Sequence, residues 1–304
     1  MDMLLGKANK WLKNWQEGAD NRRRERSRAI YAFTRSKLSV VGLAIVIIVI
    51  LLALFAPYIA PYPEDAGLKT HIPERLQPPS PDHIFGTDDV GRDVFSRVVI
   101  ASRLDVGLAI SVMSIALVIG ITLGSWAGIS GGMVDEIIMR ITDMFMTIPD
   151  IILALAIITA IGPGAGNAVI ALALVWWPAY CRLMRSLVLV LREEQFVEAS
   201  VTMGASRLWI IKNHLIPNSL TPIIVRVSMD MGFVLLAAAG LGFLGLGALP
   251  PQPEWGAMVS DARRYFPDSW WLSASSGGAI FFTVVGLNLL GDGLRDIAEP
   301  TSRR

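Results

Sequence analysis

Long apolar stretches separated by shorter polar segments dominate the sequence. The first stretch covers residues 38–56, which are 19 positions without a charge and extend about 28 Å as a helix. That length crosses most of a hydrocarbon core of about 30 Å. Five further stretches predict spans within 106–134, 137–161, 168–190, 222–249 and 269–291. The pattern therefore predicts an all-α, polytopic membrane protein with six transmembrane helices.

The polar segments predict the orientation of these spans. The N-terminal tail, 1–37, carries ten Lys and Arg residues, so the positive-inside rule places it, and after six crossings also the C-terminal tail 296–304, in the cytosol. The tail fits either a contact with anionic lipid or a solvated arm. Residues 57–103 hold seven of the seventeen prolines and predict an external loop, in part extended. A five-helix core over 104–295 follows, with a second external loop at 250–271.

The composition agrees with a membrane protein. Of the 304 residues 53% are apolar and 17% are charged, and the mean hydropathy is +0.52, which is too apolar for an ordinary soluble domain. The single cysteine, Cys181, has no partner for an intrachain disulfide. The net charge of +1 does not indicate any class of partner. We expect that the chain does not bind a nucleic acid.

One polar segment, 193–217, is the only internal stretch of the second half where charge, aromatic residues and helix breakers occur together. The two glutamates that open it fit the first turn of a helix, where the dipole favours anions. Gly204 fits a left-handed helix end, and Ser206 fits the N-cap of a second short helix that Pro217 ends. The prediction is a helix, a glycine turn and a helix on the membrane surface, a shape that can dock a partner.

The same segment resembles the coupling loop of permease subunits in ATP-binding-cassette importers. That loop typically reads EAA, three residues, G, nine residues and I-x-L-P, and here it reads EAS, G and HLIP at the same spacing. The departures are Ser200, His214 and Ile216. The resemblance implies that this loop seats in a groove of the ATPase, and the alternative is an ordinary amphipathic loop helix. The implied coupling residues are Glu198, Ala199, Ser200, Gly204, Leu208, Trp209 and Pro217.

Three other stretches, 85–103, 243–256 and 287–296, resemble the dipeptide, oligopeptide and nickel permease family. The resemblance identifies the chain as a C-type permease subunit with the type I importer fold, in the cell inner (plasma) membrane. It implies a second homologous permease subunit, two cytosolic ATPases that bind ATP and Mg, and an external solute-binding protein. It favours di- or oligopeptides as substrate, with a nickel chelate or glutathione as alternatives.

Asp150 is the candidate residue of a translocation path. In a continuous third helix Arg140, Asp143 and Asp150 share one face by their spacing of three and seven. Asp150, fourteen residues after Glu136, would then lie about 21 Å deep, where an ionisable group marks a functional site. Pro149 predicts a kink beside it. A later helix start would place Asp150 near the interface instead.

Three aspartates of the first external loop, Asp88, Asp89 and Asp93, are candidates for a hard-cation site. The alternative is that they pair with Arg92 and Arg97, in a turn that leads into an interfacial helix. The residues of that helix expected to face lipid are Val94, Phe95, Val98 and Val99.

Two features of the fifth span concern its packing. Arg226 and Asp230, four residues apart, predict an ion pair near its inner end. Ala238 and Gly242 have the small-x-x-x-small spacing that lets neighbouring backbones approach closely. The alternative for this half of the span is a broken helix that lines the path.

The sequence predicts neither an enzyme nor a cofactor site. It contains no GxxxxGK[ST] loop, no convincing Ser/His/Asp set and no cluster of metal ligands. We expect the chain to bind no cofactor and ATP hydrolysis to occur on its partners. The alternative is an ion-coupled secondary transporter with Asp150 as its proton or sodium site, although no internal repeat supports it. A scaffold without transport activity is a third possibility.

Overall fold

The computed structural model describes residues 31 and 33–298, which form helices joined by turns and loops. The predictions for most of the two terminal tails lie outside these residues. Within them no strand forms beyond an isolated bridge between Thr87 and Asp93, so the all-α fold is confirmed. In chain order the described α-helices are α1 (Lys37–Ile59), α2 (Val94–Ser130), α3 (Gly132–Met146), α4 (Asp150–Ile161), α5 (Ala165–Leu191), α6 (Gln195–Thr202), α7 (Arg207–Ile210), α8 (Ile216–Phe243), α9 (Trp255–Ala262) and α10 (Trp270–Ala298).

Five of the described helical segments are long and apolar enough to cross a membrane. They are α1, α2, α5, α10 and the segment Arg207–Phe243, in which α7 and α8 are continuous through the π-helical turn Ile211–Leu215. Helices α3 and α4 form a sixth if they count as one span, although they are bent by 91° at their junction. The described residues therefore contain five unbroken candidate spans and one bent helix pair where six spans were predicted.

The predicted third span, 137–161, is not one kinked helix. Helix α4 begins at Asp150, and Pro149 is its N-cap. Proline fixes its own φ and disfavours helical backbone in the preceding residue, so α3 ends before it. Because of this break, the prediction that Asp150 shares one helical face with Arg140 and Asp143 is wrong, and the depth based on a straight helix does not apply.

Ion pairs connect α3 to α5 at the polar end of both helices. The guanidinium of Arg185 lies 2.5 and 2.6 Å from the two carboxylate oxygens of Asp135, which is the bidentate geometry that favours Arg over Lys. Further along α3 and nearer to solvent, Arg182 pairs with Asp143 through a single nitrogen and a single oxygen. These contacts fix α3 against the bundle although only Thr142 of α3 is fully buried.

Helix α2 begins earlier than predicted, inside the segment expected to be an external loop. Asp93 is its N-cap, and the Asp93 side chain accepts a hydrogen bond of 2.7 Å from the Ser96 amide. The expectation of an interfacial helix facing lipid is wrong, because these turns pack into the core. Of the four residues expected to face lipid, three are buried: Val94 (1% exposed), Val98 (8%) and Val99 (3%). The fourth, Phe95, packs edge-on against Phe85.

A stripe of three glycines, one every fourth residue, lies where α2 crosses α5: Gly120, Gly124 and Gly128. A Cβ atom on the first would lie 2.6 Å from Tyr180 Cβ, and one on the last would lie 2.7 Å from Val188 Cβ. A Cβ on the middle glycine would collide with the backbone carbonyl of Cys181. Glycine therefore permits a close approach of the two backbones, which dispersion forces reward where lipid is the solvent.

The segment between α1 and α2 is an ordered unit with a buried polar network. The buried carboxylate of Asp65 accepts a hydrogen bond of 2.8 Å from the Asp93 amide and lies 3.2 Å from His71 Nε2. Arg97 donates to the Asp65 carbonyl over 2.8 Å, and His83 Nδ1 lies 3.0 Å from Asp93 Oδ1. A buried carboxylate is tolerated when its oxygens have such partners. The segment is therefore more compact than the partly extended loop that its prolines predict.

The three aspartates considered for a cation site point to different partners. Asp88 pairs with Arg92 at 2.7 Å and Arg97 at 3.6 Å, Asp89 accepts from Tyr265 at 3.2 Å, and Asp93 caps α2 and contacts His83. The predicted ion pairs of Asp88 are confirmed. Across the described part of the chain, no group of three or more His, Cys, Asp or Glu residues is placed to hold a metal ion.

Candidate coupling segment and membrane cavity

The segment between α5 and α8 has the predicted helix, glycine turn and helix. Helix α6 ends before Gly204, whose φ of +83° is in the left-handed region. Glycine adopts this conformation without the strain that a Cβ atom causes. The side chain of Ser206 then accepts a hydrogen bond of 3.3 Å from the Trp209 amide and caps α7. The predictions for the backbone at Gly204 and Ser206 are confirmed.

Two details at the ends of this segment differ from the prediction. Helix α6 begins after Glu193 and Glu194, and Glu194 is its N-cap, so Glu198 is the acidic residue of the first turn. Pro217 does not end a helix, because it lies in the first turn of α8, directly after the π-helical turn. The wider π-helical turn and a position near a helix start suit a residue with no N–H group. The fifth span consequently begins before residue 222.

The coupling residues are divided between an exposed surface and a buried support. Leu208 is 67% exposed and Trp209 is 46% exposed, and Glu198, Ala199, Gly204 and Pro217 are exposed as well. Beneath them, the buried side chains of Val197 and Ile210 pack in one apolar cluster with residues of α5 and α8. The result is an apolar knob held in place by the spans on both sides of it.

Two of the departures from the family pattern contact each other. The hydroxyl of Ser200, which is buried, donates to the Phe196 carbonyl over 2.8 Å and lies 3.1 Å from His214 Nε2. The His214 ring also packs at 5.1 Å, edge-on, against the ring of Trp209. Serine and histidine at these two positions thus form a polar contact between α6 and the π-helical turn, and this contact supports the exposed tryptophan.

A second candidate site is a cavity of about 460 Å³ lined by residues of α4, α5 and α8. Asp150 lies at its edge, with Trp176, Arg226, Asp230 and Phe233 among the other lining residues. Asp150 is exposed and makes no ion pair with any residue that the structure describes. The cavity therefore presents an unneutralised carboxylate beside aromatic side chains.

The polar wall of this cavity is built on Asp230, which is buried. Its Oδ2 atom accepts hydrogen bonds from Arg226 Nε at 2.7 Å and from the Tyr180 hydroxyl at 2.9 Å. The predicted ion pair between Arg226 and Asp230 is confirmed. The sequence analysis missed Tyr180, and a signal was available, since a tyrosine inside an apolar span needs a partner for its hydroxyl.

Two buried carboxylates at the other end of the bundle were also missed. Asp105 Oδ2 accepts a hydrogen bond of 3.1 Å from the Trp255 amide, and Glu254 Oε2 accepts from the Ala248 amide. The second oxygen of each carboxylate is buried without a partner among the described residues. Burial raises the pKa of Glu254 above its usual value. The 243–256 stretch carries Glu254, but only the family resemblance of that stretch was noticed, and Asp105 lies in α2.

Glu254 also explains the small residues at the end of α8. A Cβ atom on Gly242 or Gly247 would collide with the Glu254 carboxylate, so these glycines make room for a side chain. The expectation that Gly242 brings two helix backbones together is therefore wrong. Helix α8 is unbroken as far as Phe243 and ends there, before the predicted end of the fifth span at 249.

Long apolar helices around a short surface segment define the class of the molecule, a polytopic membrane protein. The arrangement is similar to that of the methionine ABC transporter MetNI in its inward-facing conformations, with a TM-score of 0.52 over 66% of this chain and 96% of that chain. The sequences are 18% identical, so this likeness concerns the fold, and the predicted importer permease fold is confirmed.

Residues 120–304 match the family described as binding-protein-dependent transport system inner membrane component. Residues 26–79 match the N-terminal TM domain of oligopeptide transport permease C. The chain belongs to this family of inner-membrane transport components and is a permease subunit.

Several curated relatives are similar over most of their length. The probable D,D-dipeptide transport system permease protein of Escherichia coli strain K12 is 44% identical over 274 residues, 90% of this chain and 91% of the relative. The dipeptide transport system permease protein of Alkalihalophilus pseudofirmus is 44% identical over 266 residues, 88% of this chain and 86% of the relative. The nickel transport system permease protein of Escherichia coli strain K12 is 39% identical over 269 residues, which are 88% of this chain and 96% of the relative.

Proposed function

We propose that this permease subunit forms, with a second homologous permease subunit, the pathway for ATP-driven uptake of di- or oligopeptides. The relatives at 44% identity that carry dipeptide names support this substrate class, ahead of the nickel named for a relative at 39%. In this proposal an external solute-binding protein delivers the peptide. Two cytosolic ATPases bind ATP and Mg, and this chain binds no cofactor.

The observation that carries the proposal is the exposed apolar knob formed by Leu208 and Trp209. Large apolar side chains exposed on an ordered polar segment are characteristic of a surface that binds a protein. The knob continues into α8 without a loop, and α6 follows directly on α5, so the groove of an ATPase that holds it also holds the ends of two spans. Glu198, at the first turn of α6, adds a charge at the rim.

The orientation follows from the same proposal. A knob that binds cytosolic ATPases lies in the cytosol, which places both chain termini there and residues 57–103 and 250–271 outside. The cavity beside Asp150 then lies between the spans that leave the knob, where we propose that it faces the translocation path or the second permease subunit. The exposed carboxylate supports this, because an unpaired charge is costly against lipid.

The test uses the complex purified from native membranes through a tag on this chain. Leu208→Glu places a charge on the knob without disturbing a buried contact, whereas Trp209→Glu also removes the ring contact with His214. We expect both variants to insert normally but to lose the co-purifying ATPases. Leu68→Glu is the control, since Leu68, in the segment between α1 and α2, is 84% exposed. In vesicles, dipeptide uptake should require ATP and resist a protonophore. Uptake that follows an ion gradient, with no ATPase bound to the wild type, would establish a secondary transporter and overturn the proposal.

A further inference from the structure

An apolar groove of about 670 Å³ lies between α1, α2 and α10 and shares no lining residue with the cavity beside Asp150. Almost all of its lining is aliphatic or aromatic. Representative lining residues are Val49, Phe95, Val99, Trp271, Ala279 and Phe282. A groove of this size is within the range of sites that hold a small organic molecule.

The packing of α1 against α10 gives the groove a wedge shape. The two helices touch at Gly42, where a Cβ would lie 2.6 Å from Leu289 Cβ, and at Gly286, where it would lie 2.5 Å from Ile45 Cγ2. Further along, residues of both helices line the groove, among them Val49 of α1 and Ala279 of α10. The contact closes one end of the wedge, and α2 forms its floor.

The segment between α1 and α2 borders the other end of the groove. Pro79 and Ile84 of that segment line the groove together with Trp270 at the start of α10. The groove is open laterally, between α1 and α10, where Ile48 and Phe282 line it and are 56% and 60% exposed. A transmembrane helix of a partner must continue past both interfaces, whereas the contacts at Gly42 and Gly286 block one end of the groove.

The three hydroxyls in the groove are satisfied by the protein. Those of Ser102, Ser275 and Thr283 each donate to a carbonyl of their own helix, at 2.5, 3.1 and 2.7 Å. Trp271 Nε1 is buried without a partner among the described residues, and no charged side chain lines the groove. Contact with an occupant is therefore almost entirely apolar, which does not suit a peptide backbone with its obligatory hydrogen bonds.

The surroundings of the groove supply such an occupant. All three helices are long and apolar enough to cross a membrane, so the lateral opening faces the bilayer and is continuous with the exposed apolar side of α1. An empty groove there would forfeit the dispersion contacts that close packing provides. We propose that the groove binds one acyl chain of a bilayer phospholipid, which enters laterally and fills the space between α1 and α10.

The test compares two neighbouring glycines of α10. Gly278 lines the groove and Gly277 does not, and a Cβ on either one meets open space. Gly278→Leu therefore fills the groove, whereas Gly277→Leu makes the same chemical change on the same helix outside it. Ser275→Leu is a second filling variant, because Ser275 also lines the groove and its hydroxyl bonds only within α10.

The probe is phosphatidylglycerol, with palmitoyl chains for mass spectrometry and dibrominated chains for quenching. After gel filtration in mild detergent, we expect native mass spectrometry to show one retained phospholipid in the wild type and in Gly277→Leu. Gly278→Leu and Ser275→Leu should lose it, together with the quenching of tryptophan fluorescence near Trp255 and Trp271. Equal retention and quenching in all four proteins would overturn the proposal. A cysteine at 278, in a Cys181→Ala background, that cross-links to a partner subunit would also overturn it.

Discussion

The hydroxyl of Tyr180 on α5 donates a hydrogen bond of 2.9 Å to Oδ2 of Asp230 on α8. The same oxygen accepts a hydrogen bond from Arg226, so a buried carboxylate has two donors on one atom. The bond joins the two spans that flank the coupling segment. Its loss should therefore affect both the stability of the bundle and the cavity beside Asp150.

Tyr180→Phe removes that donor. The variant should be less stable by about 1 to 3 kcal/mol, because the buried Asp230 carboxylate loses a hydrogen-bond partner. The measurement is thermal unfolding of the purified complex in detergent. Tyr58→Phe is the control, because Tyr58 is 88% exposed. Equal unfolding temperatures for the two variants would show that Arg226 alone satisfies Asp230.

Substitutions at Gly204 should separate backbone conformation from side-chain volume in the coupling segment. Gly204→Val strains a left-handed residue at a cost of about 1 to 2 kcal/mol, although a Cβ there meets open space. We expect the variant to reach the membrane but to bind the ATPases weakly or lose substrate-stimulated ATP hydrolysis. Gly204→Asn should be much milder, since Asn tolerates this conformation, and Glu198→Ala should also be mild. Normal coupling in Gly204→Val would contradict the assignment.

Asp150→Asn tests whether the exposed carboxylate acts in transport. The change removes a charge without altering shape, so insertion and expression should be unaffected, while dipeptide uptake by vesicles should change. Asp82→Asn is the control, since Asp82 is an exposed carboxylate of the segment between α1 and α2. If uptake by both variants equals that of the wild type, Asp150 is an ordinary interfacial residue.

Gly124→Ala should destabilise the contact between α2 and α5 by about 1 to 3 kcal/mol, because the new methyl group has no space. Gly107 is in the same helix and has nothing within 4 Å of an added Cβ. Gly107→Ala should therefore be neutral or stabilise the protein by up to about 1 kcal/mol. Unfolding in detergent measures both, and a similar result for the two would refute the close approach at Gly124.

The buried carboxyl group of Glu254 should give a pH-dependent stability of defined sign. Burial raises its pKa in the folded protein, so the native state binds this proton more tightly than the unfolded chain does. Stability should then fall as pH rises from the unfolded carboxyl pKa, about 4.3, through the raised native value. We expect Glu254→Gln to remove this fall in a pH series of unfolding temperatures.

The matched control for this prediction is Glu64, whose side-chain hydrogen bond with Lys69 lowers its pKa. The pH dependence of stability due to Glu64 therefore has the opposite sign. The stability that Glu64 contributes is lost as pH falls through its folded pKa. Because Glu64 is exposed, Glu64→Gln should change the pH series only slightly. A pH profile of Glu254→Gln that follows the wild type would contradict the prediction.

Local rules account for what the sequence predicted correctly. Apolar length predicts spans, Gly204 and Ser206 predict a turn and a cap, and a spacing of four predicts the pair of Arg226 and Asp230. Each of these depends on residues within one turn of helix. The predictions that concern Leu208, Trp209 and Asp150 as functional residues stay predictions.

The structural features that the sequence analysis did not predict depend on contacts between distant segments. Asp105 and Glu254 meet across the bundle, and neither has a sequence signature that predicts its burial. A proline predicts that α3 ends but gives no angle between α3 and α4, which is 91°. Pro217 was misread because a π-helical turn before it, which the sequence does not announce, lets the helix continue.

The continuity of α7 and α8 makes the segment from Arg207 to Phe243 a single lever about 55 Å long. Trp209 is at one end of this arm, and Gly240, which lines the cavity, is near the other. Asp230 lies between them and accepts a hydrogen bond from Tyr180 of α5. A tilt of the segment would therefore pivot near Asp230. If Trp209 moved by one helical pitch, about 5.4 Å, around a point 21 residues or about 32 Å away, the tilt would be about 10°. The part of the cavity wall beyond Asp230 would then move in the direction opposite to Trp209.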